Sequence, residues 1–234
     1  MKVEIWSDVA CPFCYIGKKR FENALARFDH KDEVEVEYRS FELDPNASAV
    51  SPHDVYDMLA GKYGMTREKA IAMNDNLKKQ AAGDGLDFRF DTMILTNTFD
   101  AHRLTHYAEL HGKRKEVTEL LFKAYFTDSK NVSDPATLAA IAAEAGLDAQ
   151  EAAAVLASGQ YTAEVRAEER EGSGLGISGV PFYVINRKYG VSGAQASDAF
   201  LQTLQNIWDE DQPEAPAKTA ADGCADGVCS TDDN

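Results

Sequence analysis

Val3 and Ile5 alternate with Lys2 and Glu4, a period of two that predicts a short strand over residues 2–7. From Pro12 the spacing changes. Phe21, Leu25 and Phe28 recur at helical intervals, and Pro12 suits the first position of a helix, where its missing N–H has no partner to lose. Val34, Val36 and Tyr38 then alternate with charged residues, which predicts a second strand. Between there and residue 177 no strand pattern of any length occurs. Helix starts stand instead at Ser51-Pro52-His53-Asp54, at Thr66, at Ser133-Asp134-Pro135 and in the capping-box pattern from Asp148 to Glu151. Alanine, the best helix former, supplies 13 of the 32 residues from Ala136 to Ala167, with Gly146 and Gly159 as stops. Strand character returns at Phe182–Ile185, introduced by a glycine-rich loop from Gly172 to Gly179 and by Val180-Pro181. A polar turn at residues 186–188 leads to a partner strand, Tyr189–Ser192. Phe200, Leu201, Leu204, Ile207 and Trp208 then mark an amphipathic helix.

The element order is therefore β-α-β, a run of helices, then β-β-α. The expected class is α/β: a thioredoxin fold whose two halves are separated by a large all-helical insertion. The expected division is a discontinuous thioredoxin-like domain over residues 1–45 and 178–208, a helical insertion domain over 46–177, and a disordered acidic tail over 209–234. The tail follows from composition, since residues 209–234 hold eight acidic residues, one lysine and almost nothing apolar.

Composition narrows the function. With 234 residues, 44% hydrophobic and 27% charged, the chain can bury a sizeable core. Its 39 acidic against 24 basic residues give a net charge of −15, which repels a phosphate backbone and argues against nucleic-acid binding. No apolar run approaches the length of a membrane span, and Lys2, Glu4 and Asp8 interrupt the N-terminus where a signal peptide would be apolar, so no membrane association and a cytoplasmic location are expected. The four cysteines fall into two pairs, Cys11-Pro12-Phe13-Cys14 and Cys224–Cys229. In a reducing compartment such pairs suggest redox or metal chemistry rather than scaffolding.

A thiol reacts as thiolate, and a helix N-terminus stabilises that anion, so Cys11 is expected to be acidic and exposed. Cys14, one turn later and in register with Phe21, Leu25 and Phe28, is expected to be shielded. That asymmetry suits dithiol exchange: Cys11 exchanges with a substrate sulfur and Cys14 resolves the mixed disulfide. A zinc site is the competing reading, but no second pair at finger spacing and no nearby histidine follows, and no metal is expected. Pro181, before the third strand, is expected to be cis and to pack on the cysteine pair.

The string from Asp8 to Gly17, Asp-Val-Ala-Cys-Pro-Phe-Cys-Tyr-Ile-Gly, together with Gly179-Val-Pro-Phe182 and Asn97-Thr-Phe-Asp-Ala-His-Arg-Leu104, resembles the DsbA family of thioredoxin-fold oxidoreductases, most closely its cytoplasmic FrnE-like branch. The resemblance implies exchange with protein or peptide thiols and disulfides, Cys11 as nucleophile, Cys14 as resolving thiol, and Pro12, Phe13, Val180 and Pro181 as the substrate-binding surface. A recycling reductant or oxidant is implied as a partner. Without a secretion signal or a histidine between the cysteines, a disulfide isomerase or reductase is expected rather than a strong oxidant. No cofactor is expected beyond the redox-active disulfide, with glutathione a possible co-substrate. The alternative is a glutathione-dependent enzyme like the 2-hydroxychromene-2-carboxylate isomerases and kappa transferases. Those share the inserted helices, and there Asn97, His102 and Arg103 would line a pocket beside Cys11 rather than form an ordinary surface helix.

Cys224 and Cys229 could form a second redox pair, as the tail pair of FrnE-like proteins suggests. A disordered linker of about 16 residues from Trp208 has an r.m.s. span of about 20–25 Å, enough to reach Cys11. His102 and His106 share a helical face with Glu109, a weak metal pattern for which ordinary helix residues are the simpler reading. Met58, Met65 and Met73 could line a client groove, although core packing is the commoner reason for such a stripe.

Overall fold

The computed structural model describes residues 1–211; the rest of the acidic tail, with Cys224 and Cys229, lies outside the described residues. β1 (Lys2–Ser7) pairs in parallel with β2 (Glu35–Ser40), Lys2 opposite Glu35 and Ser7 opposite Ser40. A parallel pair needs a crossover, and α1 (Pro12–Ala26) supplies it. The other edge of β1 pairs antiparallel with β3 (Phe182–Ile185), which pairs with β4 (Tyr189–Ser192), so the strand order is β2-β1-β3-β4. α9 (Ser197–Asp211) packs beside α1 on the sheet. These are the β-α-β and β-β-α halves expected of a thioredoxin fold.

Between β2 and β3 the chain is helical: α2 (Val55–Tyr63), α3 (Arg67–Gly83), α4 (Phe99–Glu109), α5 (Arg114–Phe126), α6 (Pro135–Glu144), α7 (Ala149–Ala157) and α8 (Thr162–Gly174). Asp54, Thr66, Asp134 and Asp148 each cap their helix by accepting from the backbone N–H three residues on. Tyr15 of α1 stacks on Phe122 of α5, with ring centroids 5.0 Å apart, which joins the crossover helix to this layer.

Three elements differ from the sequence reading. α8 runs through Gly172–Gly174, where a loop is expected. A Cβ at Gly172 would stand 2.7 Å from the Trp6 Nε1, so the missing side chain is what lets the Trp6 indole lie on α8, where its N–H donates to the Glu168 carbonyl at 2.9 Å. β1 is buried on both faces. Glu4, expected on a polar side, is buried and ion-paired with Arg39 and Arg187. α9 continues to Asp211 although the tail is expected from 209; the Tyr189 hydroxyl donates to Glu210 and the Asn186 amide to Asp211, which hold the last turn against the β3–β4 hairpin.

A buried ionic cluster locks the helices to the sheet. The Glu168 carboxylate of α8 accepts from the Ser40 backbone N–H at 2.6 Å and from Arg114 Nη2 at 3.0 and 3.1 Å, with His106 Nε2 at 3.1 Å and Arg39 Nη1 at 3.3 Å. Burial alone would raise its pKa, but the His106 and Arg114 contacts and the Ser40 hydrogen bond hold it well below the usual carboxylate range. Among the described residues no helix is long and apolar enough to cross a membrane.

Candidate active site

Cys11 is the N-cap of α1, extended at φ −92° and ψ 112°, with Pro12 as the first helical residue. A tight turn leads into it: the Cys11 N–H donates to the Asp8 carbonyl at 3.0 Å, and the Cys14 N–H donates to the Cys11 carbonyl at 3.0 Å. The Cys11 thiol donates to the Val180 carbonyl at 3.3 Å, and the Val180-Pro181 bond is cis. Two segments 169 residues apart thus meet at one sulfur. Both cysteines are free thiols.

Cys11 is not exposed as expected. It is 4% accessible, with the Val180 carbonyl against its sulfur, while Phe13 beside it is 45% exposed and Pro12 and Val180 are half-buried. Cys14 is shielded at 2% exposure, but not with Phe21 and Phe28. Those two rings pack in the sheet core, whereas Cys14, Tyr15 and Ile16 belong to the core shared with the helices, because α1 is covered on both sides. Burial pushes the Cys14 thiol well above its ordinary range and the adjacent Cys11 adds to this; the Ser7 hydroxyl and the Asp8 backbone N–H act in the opposite direction.

Asp8 is the anchor that sequence reasoning missed, and nothing in an acid that follows a short strand marks it as buried. It is 1% exposed and accepts from Thr98 Oγ1 at 2.8 Å, from the Leu43 N–H at 2.7 Å and from the Ala10 N–H at 3.2 Å. It thereby ties the cysteine turn to α4 and to the segment after β2. His102 reaches the same carboxylate, its Nε2 standing 3.4 Å from Asp8 Oδ1.

Arg103 is placed elsewhere. Its guanidinium donates to the carbonyls of Val155, Leu156, Ser158 and Gln160 and to Asp100, so it closes the end of α7 instead of lining a pocket or facing solvent. Asn97 Oδ1 accepts from the Phe99 N–H at 2.8 Å, a local turn at the start of α4. His106 serves Glu168, Glu109 pairs with Arg114, and no metal-holding group of His, Cys, Asp or Glu occurs among the described residues. In the methionine stripe Met58 packs on the helical core, Met65 is half-buried and Met73 is 40% exposed, so core packing accounts for the first only.

Residues 2–205 match the family model described as DSBA-like thioredoxin domain. A probable DsbA oxidoreductase from Streptomyces coelicolor superposes with a TM-score of 0.87 at 47% identity, covering 97% of this chain and all 100% of that one. An uncharacterized protein of Bacillus subtilis, YwbO, is 27% identical over 206 residues, 87% of this chain and 96% of that protein. The cytosolic disulfide reductase DsbM from Pseudomonas aeruginosa, solved with GSH, shares the fold at a TM-score of 0.62 and 15% identity, over 89% of this chain and 100% of that one.

Proposed function

The chain belongs to the DSBA-like thioredoxin domain family, and from that premise we propose that it is a thiol-disulfide oxidoreductase acting on protein or peptide disulfides through Cys11 and Cys14. The observation that carries this reading is the convergence of the Cys11 sulfur, at the N-terminus of α1, on the Val180 carbonyl beside the cis Val180-Pro181 bond.

In the reducing direction the Cys11 thiolate attacks one sulfur of a substrate disulfide. The substrate S–S bond breaks, a mixed disulfide to Cys11 forms, and the other substrate sulfur leaves as thiolate. Cys14 then attacks Cys11, forming the Cys11–Cys14 bond and releasing the second substrate thiolate; the substrate gains the two electrons that the pair loses. The burial of Cys14 holds its thiol up and keeps it protonated until a mixed disulfide is in reach. Val180 offers its backbone and Phe13 an exposed aromatic face to an extended peptide. A reductase or isomerase role in the cytoplasm, recharged by a dithiol or by glutathione, completes the reading.

The glutathione-dependent small-molecule alternative has less support. The Arg103 donors are committed to backbone carbonyls, and the cavity beside His102 has a volume of about 20 Å³, far too small for an aromatic acid. Incubation with a disulfide-bonded peptide separates the two. Cys11→Ser abolishes exchange, and Cys14→Ser accumulates a peptide adduct on Cys11 visible by mass spectrometry. Turnover that survives Cys11→Ser sinks the proposal.

A further inference from the structure

For Cys14 to resolve a mixed disulfide it must lose its proton, yet it is 2% exposed and burial holds its thiol up. That calls for an acceptor within the fold. His102 is 4% exposed, and its Nε2 lacks a hydrogen-bond partner although it stands 3.4 Å from the Asp8 carboxylate. The His102 side chain lines a cavity of about 20 Å³ together with Ser7, Ser40, Thr105 and Arg114. One bound water needs about 10–15 Å³. Arg114, which also lines this cavity, has a buried Nε without a partner, and unsatisfied polar groups around a space of that size are what a structural water serves. Ser7, immediately before Asp8, lines this cavity, and its hydroxyl also acts on the Cys14 thiol.

We propose that His102, paired with Asp8, is the internal proton acceptor for Cys14, reached through the Ser7 hydroxyl and one water bound in this cavity. The inference rests on the exchange reading above. In the step, the sulfur bond from Cys11 to substrate breaks and the Cys11–Cys14 bond forms. The substrate leaves as thiolate, and the Cys14 proton passes through Ser7 and the water to His102, where the Asp8 carboxylate offsets the imidazolium charge. His102 acts through other groups and is a positioning residue. The charged groups around it are Asp8 after β1, Arg39 on β2, Glu42 beyond it, and Arg114 on α5, with Glu168 of α8 one step further through His106 of its own helix.

Stopped-flow reaction of the reduced full-length protein with an aromatic disulfide such as dithiobis-nitrobenzoate releases one chromophore when Cys11 attacks and a second when Cys14 resolves. His102→Gln is expected to leave the first phase unchanged and to slow the second about 100-fold at pH 7, the rate then rising about tenfold per pH unit as hydroxide takes over the proton. Ser7→Ala, which keeps His102 in place, is expected to give the same profile and decides the matter if His102→Gln does not fold. An unchanged second-phase pH profile, or an equal slowing of both phases, overturns the proposal. Absence of both phases in the wild type strikes the exchange reading instead, so the two failures are distinct.

Discussion

One methyl group at Gly17 tests the packing that holds the site together. Gly17 is in the first half of α1, one turn after Cys14, and a Cβ there would stand 2.7 Å from the Tyr183 hydroxyl, 3.1 Å from Pro181 Cγ and 3.4 Å from Ala194 Cβ. The tyrosine has no room to swing away: it is fully buried, with its ring 5.4 Å from Phe21 and 4.7 Å from Phe200. Helix and loop must therefore separate, and overpacking of this kind costs about 1–3 kcal/mol. Glycine to alanine inside a helix otherwise stabilises by about 0.5–1 kcal/mol. Gly61 in α2, with nothing within 4 Å of an added Cβ, supplies that reference. In urea unfolding followed by tryptophan fluorescence, Gly61→Ala is expected to raise the midpoint and Gly17→Ala to lower it, with unchanged slopes. Because Pro181 is among the groups displaced, Gly17→Ala is also expected to slow exchange at Cys11 by about tenfold, while Gly61→Ala leaves it alone. A Gly17→Ala protein as stable as Gly61→Ala would refute the close approach of α1 to the 180–183 segment.

Two further predictions concern the supports of the site. Glu168→Gln leaves Arg114 and Arg39 facing a neutral group and is expected to cost about 3–5 kcal/mol at pH 7 by urea titration. Because the folded pKa of Glu168 lies below its unfolded value of about 4.3, its contribution is complete above that pH and fades as pH falls further; the gap between wild type and variant should narrow below about pH 4, and a gap that widens there contradicts the assignment. Arg103→Met removes the guanidinium donors to the end of α7 and is expected to cost at least about 3 kcal/mol while leaving the first phase of exchange at Cys11 unchanged; a selective loss of that phase would return Arg103 to the site.

Much of this architecture is legible in the sequence because it is local. The β1 and β2 segments follow from alternation, β3 and β4 from a short apolar run and a polar turn, the starts of α2, α3, α6 and α7 from Asp or Thr caps, and the place of the cysteine pair from a proline that begins α1. What is not legible depends on partners distant in sequence. Gly172 looks like a loop residue until Trp6 is laid against it, and Glu4 looks like a solvent-facing strand position until Arg39 and Arg187 arrive. The burial of Cys11 comes from Val180, 169 residues away. His102 and Arg103 are neighbours of similar polarity in the chain, yet one turns to Asp8 and the other to α7, a division that no spacing rule contains.

The central claim is that Cys11 and Cys14 act as one two-electron couple. Equilibration of the full-length protein across glutathione redox buffers, followed by alkylation and mass spectrometry of the peptide carrying both residues, measures it directly. The expected result is a single transition in which both thiols disappear together, the ratio of forms changing tenfold per about 30 mV. A Cys14 thiol that persists across the whole range while Cys11 alone acquires glutathione would contradict the account.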